Sequence, residues 1–118
     1  MSKLKEILQR KAEREKRLES SMESITRQLT ALGALKVILF GSLATGDVDV
    51  YSDLDLLVIM PSTRSGKEWM KLVYENVERG IDSDIIVYNE KELEEKLPTS
   101  SFLRYILHHG RVVYEESL

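Results

Sequence analysis

Asp53 and Asp55 stand two residues apart in the run Ser52-Asp53-Leu54-Asp55-Leu56-Leu57-Val58-Ile59-Met60. On a strand, residues i and i+2 share a face, so both carboxylates point one way while Leu54 and Leu56 point the other. Like charges that close repel each other. A hard divalent cation such as Mg²⁺, which takes carboxylate oxygens together with substrate phosphate oxygens, removes the repulsion. An isolated Asp-x-Asp is most simply a solvated strand entrance. Here it has company: Gly41-Ser42 directly follows the apolar run Lys36–Phe40, Gly46 comes four residues after Ser42, and Asp84 heads a later apolar run, Asp84-Ile85-Ile86-Val87.

The elements that must carry these residues are legible from pattern. Residues 3–32 read as one helix, free of Gly and Pro until Gly33. Leu18, Met22, Ile25, Leu29 and Leu32 step by four and three, an a/d seam, and Leu4, Ile7 and Leu8 form a shorter apolar patch. Between them Gln9 to Arg17 is almost wholly charged and is expected to face water on all sides and to project. Short β-branched runs predict strands at Lys36–Phe40, Leu54–Met60, Asp84–Tyr88 and Arg111–Tyr114. Pro61 to Gly66 is a loop. Ser65-Gly66-Lys67-Glu68 predicts a capping box for a helix that presents Trp69, Leu72, Val73 and Val77 and stops at Gly80. Asn89-Glu90-Lys91-Glu92 opens another helix in the same fashion, Pro98 breaks it, and Ser101–His109 is a last helix closed by Gly110. Strands alternating with helices argue for an α+β (mixed α/β) fold, a small mixed sheet of about four strands covered by helices.

The combination of Gly41-Ser42, ten intervening residues, Asp53-x-Asp55-Leu56 and a lone Asp84 resembles the motif of the DNA polymerase β-type nucleotidyltransferases, and among them the minimal nucleotidyltransferases of bacteria and archaea. Phe102-Leu103-Arg104-Tyr105-Ile106-Leu107 and Gly110-Arg111-Val112-Val113-Tyr114 resemble that family's C-terminal helix and strand. About 80 residues, 35–114, are covered. The resemblance implies a polymerase β-like palm and a Mg²⁺-dependent transfer of a nucleoside monophosphate, AMP the expected one, from NTP to a hydroxyl on a protein, an RNA or a small molecule. Gly41 would let backbone approach the triphosphate, with Ser42, Gly46 and Ser52 completing the nucleotide site. Asp53, Asp55 and Asp84 would hold two Mg²⁺ ions, with Asp84 alternatively the general base. Asp82 shares strand parity with Asp84, but three apolar residues follow Asp84 whereas Asp82 abuts the Gly80 turn. Asp47 and Asp49 read as a solvated loop, His108-His109 as a helix end, and Trp69 as core. Thr45 stands where the family usually has Arg, which removes a phosphate-facing cation; Arg64 and Lys67 are the nearby basic residues in sequence that could replace it.

Composition bounds these readings. The chain has 118 residues, 17 Lys and Arg against 20 Asp and Glu, a net charge of −3 and no cysteine. That length predicts one domain over 1–118, comprising a helix at 1–33 and a core at 34–118. Without cysteine there is no disulfide scaffold, thiolate zinc site or cysteine nucleophile. No apolar run approaches the ~18–20 residues of a membrane span, and the first residues lack an apolar leader core, so a cytoplasmic protein is expected. Residues 1–17 hold seven basic and three acidic side chains and the remainder is net acidic, so a global basic footprint for nucleic acid is absent. A high charged fraction with only four Asn and Gln residues leans towards a thermophile protein.

A 30-residue helix is ~45 Å long, whereas a core of ~86 residues has a radius of gyration of about 12 Å. The helix must overhang, its seam packing on the sheet or on a second copy, and a homo-oligomer or a complex with a small helical protein is expected. The resemblance gives that partner a type: minimal nucleotidyltransferases accompany HEPN-type proteins as antitoxins of toxin–antitoxin pairs. Three functions compete: the transferase, such an antitoxin acting by binding with or without AMP transfer, and a catalytically degenerate nucleotide binder. The intact aspartates favour the first; Thr45 and the lack of residues for an acceptor domain favour the others.

Overall fold

The structure, a computed structural model, describes residues 2–117. Helix α1 (Lys3–Leu32) begins where the Ser2 hydroxyl accepts a hydrogen bond from the Lys5 backbone N–H at 3.2 Å. It ends at Gly33, whose φ of 111° turns the chain so that the N–H groups of Gly33 and Ala34 close on the carbonyls of Thr30 and Leu29. Beyond it the chain forms β1 (Lys36–Phe40), α2 (Ser42–Thr45), β2 (Leu54–Met60), α3 (Gly66–Asn76), β3 (Ser83–Asn89), α4 (Glu90–Lys96), α5 (Ser101–His109) and β4 (Arg111–Glu115).

The four strands form one sheet in the order β3-β2-β1-β4. β1 runs antiparallel to both β2 and β4, while β2 and β3, joined through α3, are parallel. Alternation along the strands sorts the core into two layers. Val37, Leu39, Leu54, Leu56, Val58, Met60, Ile85 and Val87 face one side and meet Leu18, Met22, Ile25 and Leu29 of α1 with Trp69 and Val73 of α3. Ile38, Leu57 and Ile59 face the other and meet Leu93 of α4 with Leu103 and Ile106 of α5. The α1 seam therefore packs within the chain. Leu18, Ile25 and Leu29 are fully buried, each stabilising the fold by about 1.5–3 kcal/mol relative to exposure. The start of α1 does overhang: Leu4, Ile7 and Leu8 are exposed, and the molecule measures 55 × 30 × 25 Å. Among the described residues no helix is long and apolar enough to cross a membrane.

Three sequence expectations need correction. Helix α3 ends at Asn76 rather than Gly80, because Val77 leaves helical geometry to bury its side chain and α1 captures the backbone of Glu78. The Gln28 amide donates to the Glu78 carbonyl and accepts from the Glu78 N–H, both at 2.8 Å, taking backbone groups that a longer helix would need. The box at the head of α3 is half formed: the Ser65 hydroxyl accepts from the Glu68 N–H at 3.1 Å. The Glu92 carboxylate accepts from the Gly66 N–H at 2.8 Å and closes its own box on the Asn89 N–H at 3.0 Å, tying α3 to α4. Lastly, the charged stretch Gln9–Arg17 is not solvated on all sides, since Arg14 turns inward.

Candidate active site

The end of the sheet where β2 and β3 begin carries the acidic residues. Asp55 shares strand parity with Leu57 and Ile59, and Asp84 with Ile86, so both project on the α4/α5 side of the sheet beyond the helices that cover it. The parallel register sets Asp55 directly beside Asp84, and the antiparallel register sets Phe40 on the other side of Asp55. Asp55 is half-buried, whereas Asp53 and Asp84 are exposed. Burial pushes the Asp55 carboxyl above the usual carboxylate range, and the charges of Asp84 and then Asp53 push it further the same way. Asp82 does not contribute to that shift; its carbonyl instead accepts from the Leu54 N–H at 3.2 Å.

Gly41 closes the other side of Asp55. Its φ of 76° and ψ of −158° suit glycine, and a Cβ there would fall 3.0 Å from Asp55 Cγ, with Oδ2 closer still. The turn from β1 into α2 thus depends on glycine for its conformation and for room beside the carboxylate. Ser42 opens α2 half-buried, and Gly46 ends it with φ 84° and its N–H on the Ser42 carbonyl at 2.9 Å. Ser52 is tied into the loop that precedes β2. Its hydroxyl accepts from the Asp49 N–H at 2.9 Å, and Asp49 Oδ1 accepts from the Tyr51 N–H at 2.7 Å, so this pair shapes the loop leading into β2. Thr45 bonds back to the carbonyls of Ser42 and Gly41 at 3.3 and 3.4 Å.

A groove of about 680 Å³ runs from Asp53 past Asp82, Ser83 and Asp84 to Arg79–Ile81. The cations that flank it are Arg14 and Arg79, neither singled out by the sequence. Arg14 Nε donates to the Ser52 carbonyl at 2.8 Å and Nη2 lies 3.6 Å from Asp53 Oδ1. Arg79 stacks 4.5 Å above the Tyr74 ring, with Nη1 3.5 Å from the Ser83 carbonyl. Arg64 and Lys67 follow the far end of β2, a seven-residue strand spanning about 20 Å. Arg64 lies over Trp69 at 5.6 Å there, so neither residue replaces the cation missing at Thr45. Arg14 had one legible signal: it is one turn before Leu18 and so on the buried face of α1.

Among the described residues no three carboxylate or imidazole groups form a ready-made cage for one ion. The donor set nonetheless fits Mg²⁺, which is usually held by one or two carboxylates plus substrate phosphates and water rather than by an all-protein cage. Crowded carboxylates beside a glycine-lined turn are the chemistry such an ion requires.

A mixed four-stranded sheet with helices on both faces and acidic residues at the heads of β2 and β3 defines a nucleotidyltransferase fold. Residues 20–113 match the model of the nucleotidyltransferase domain family, and the chain belongs to that family. Among solved structures, the fold is similar to that of a Sulfolobus solfataricus protein described as a candidate nucleotidyltransferase, at a TM-score of 0.65 and 19% identity, over 91% of this chain and 88% of that one. No curated protein matches the chain in sequence.

Proposed function

We propose that this nucleotidyltransferase-family chain transfers a nucleoside monophosphate, AMP by expectation, from NTP to a hydroxyl acceptor with Mg²⁺. The observation that carries the reading is Asp55 and Asp84 side by side in register, with Asp53 just ahead of the strand that carries Asp55 and Gly41 packed against Asp55. Asp53, Asp55 and Asp84 would hold the metal, which when bound neutralises triphosphate charge and steadies the leaving pyrophosphate. Gly41 leaves room for phosphate oxygens beside Asp55, and the Ser42 hydroxyl donates to them. Alternatively to holding the metal, Asp84, exposed on the edge strand and facing the groove, serves as the base that receives the proton of the acceptor hydroxyl. The acceptor oxygen bonds to the α-phosphorus as the bond to pyrophosphate breaks, and pyrophosphate leaves with that electron pair. Ser52 acts on this site through the loop it shapes.

The test incubates the protein with Mg²⁺ and α-labelled ATP against RNA, hydroxyl-bearing peptides and the product of the adjacent reading frame. Transfer of label that disappears in the Asp53→Asn/Asp55→Asn double variant supports the reading. No transfer to any acceptor by the wild type sinks it. A second reading, an antitoxin-like module that binds a small helical HEPN-type protein with or without AMP transfer, is favoured by one observation, the exposed Leu4, Ile7 and Leu8 at the overhanging start of α1. Tight binding of that reading-frame product by the double variant, without label transfer, would favour it.

A further inference from the structure

Arg14 occupies a singular position on α1. Within Glu13–Arg17 it alone is not exposed, its side chain retaining 17% of its accessible surface. One turn further on, Leu18 is fully buried against the sheet, so the guanidinium is delivered from an element anchored in the core. Two contacts then divide its work. Nε donates to the Ser52 carbonyl at 2.8 Å, a backbone group rather than a carboxylate. Nη2 faces Asp53 Oδ1 at 3.6 Å. A planar guanidinium makes both contacts at once; an ammonium, a point charge on a flexible stem, does not reproduce that fork.

The surroundings give the charge a purpose. Asp53, Asp82 and Asp84 line the groove, and α2 brings no basic residue to it, Thr45 being turned back onto its own helix. Arg79 is already braced between Tyr74 and the Ser83 carbonyl. Arg14 is thus the cation in direct contact with a carboxylate of the cluster. It also lies outside residues 20–113, the segment matched by the family model.

We infer that Arg14 is a positioning residue for the carboxylate site: it pins the Ser52–Asp53 corner to α1, fixes the direction of the Asp53 carboxylate, and offsets part of the charge that draws a divalent cation there. The inference rests on the nucleotidyl-transfer reading for its purpose, but its physical content is testable without transfer. The two functions of Arg14 move two readouts in opposite directions. Loss of its charge strengthens cation binding at Asp53, and loss of its fork slows turnover by leaving Asp53 free to turn.

The experiment titrates Mn²⁺ into the full-length wild type, Arg14→Met, Arg14→Lys, Asp53→Asn and the Arg14→Met/Asp53→Asn pair, with label transfer from ATP measured alongside. Arg14→Met is expected to bind Mn²⁺ about three- to tenfold more tightly, and the gain is expected to vanish in the Asp53→Asn background. Its melting temperature should stay within about 5 °C of wild type. Turnover should fall about tenfold or more with a much smaller change in KM for ATP. Arg14→Lys restores Mn²⁺ affinity to near the wild-type value but leaves turnover low. Unchanged or weaker Mn²⁺ binding in Arg14→Met, a gain that persists without Asp53, or wild-type turnover in Arg14→Met overturns the inference. If the wild type transfers no label, the transferase reading falls and the Mn²⁺ cycle alone decides the contact between Arg14 and Asp53.

Discussion

Substituting Gly41 by alanine adds one methyl group, and the structure says where its cost goes. Gly41 holds φ 76° and ψ −158°, a region in which a residue with a Cβ is strained by about 1–3 kcal/mol. The new methyl would meet Asp55, 3.0 Å from Cγ and 3.3 Å from Cβ. The carboxylate is the mobile end of that side chain, so the conflict resolves by turning it away rather than by parting β1 from β2. Gly41→Ala should therefore lose about 1–3 kcal/mol in urea denaturation, and about tenfold or more in Mn²⁺ affinity by calorimetry, because the methyl displaces the Asp55 carboxylate itself without removing any charge. Gly33→Ala is the control. It too has positive φ, 111°, but its Cβ would meet nothing within 4 Å. Its penalty is backbone strain of about 1–2 kcal/mol, with Mn²⁺ binding unchanged. Equal Mn²⁺ affinities in the two variants would refute the claim that Gly41 makes room for Asp55.

Other substitutions probe the same framework. Burial, Asp84 and Asp53 raise the Asp55 pKa, so the folded state holds this proton more tightly than the unfolded chain and stability falls as pH rises from about 3.8 through the raised value. Asp55→Asn should therefore be more stable than wild type at neutral pH in the absence of divalent metal, with the advantage shrinking in acid; denaturation midpoints across pH measure it, and an advantage that grows in acid contradicts the assignment. Ile25→Ala removes a fully buried side chain of α1 and should cost about 2–5 kcal/mol in chemical denaturation; a loss under ~1 kcal/mol would mean that α1 is only loosely docked. Glu92→Ala abandons the N–H groups of Gly66 and Asn89 and should cost about 1–3 kcal/mol, with amide exchange accelerating first at the heads of α3 and α4.

What could be read from the sequence divides by the range of the interaction. β1 and β2 begin and end where their apolar runs do, and α1 begins and ends at its Ser2 and Gly33 caps, because strand alternation and helix caps are written in residues a few places apart. The juxtaposition of Asp55 with Asp84 needed more: parity gives each its face, but only the parallel pairing of β2 with β3 sets them side by side. The end of α3 was hidden, since nothing near Val77 announces that Gln28, fifty residues before Glu78, will take both of that residue's backbone polar groups.

Arg14 was hidden for the same reason in stronger form. Its stretch looks uniformly solvated, and its partners, Ser52 and Asp53, lie 38 and 39 residues away. The physics nevertheless marks it out once the seam is extended backwards. A helix anchored by Leu18 must present the residue four places before it to the same side, and at that point the sheet ends in carboxylates. An arginine delivered there meets both the Ser52 carbonyl and the Asp53 carboxylate. Part of the length of α1, from Arg14 to Leu32, thus has a use inside the chain in bringing a charge to Asp53, whereas the turns before Arg14, with Leu4, Ile7 and Leu8 exposed, do not share it.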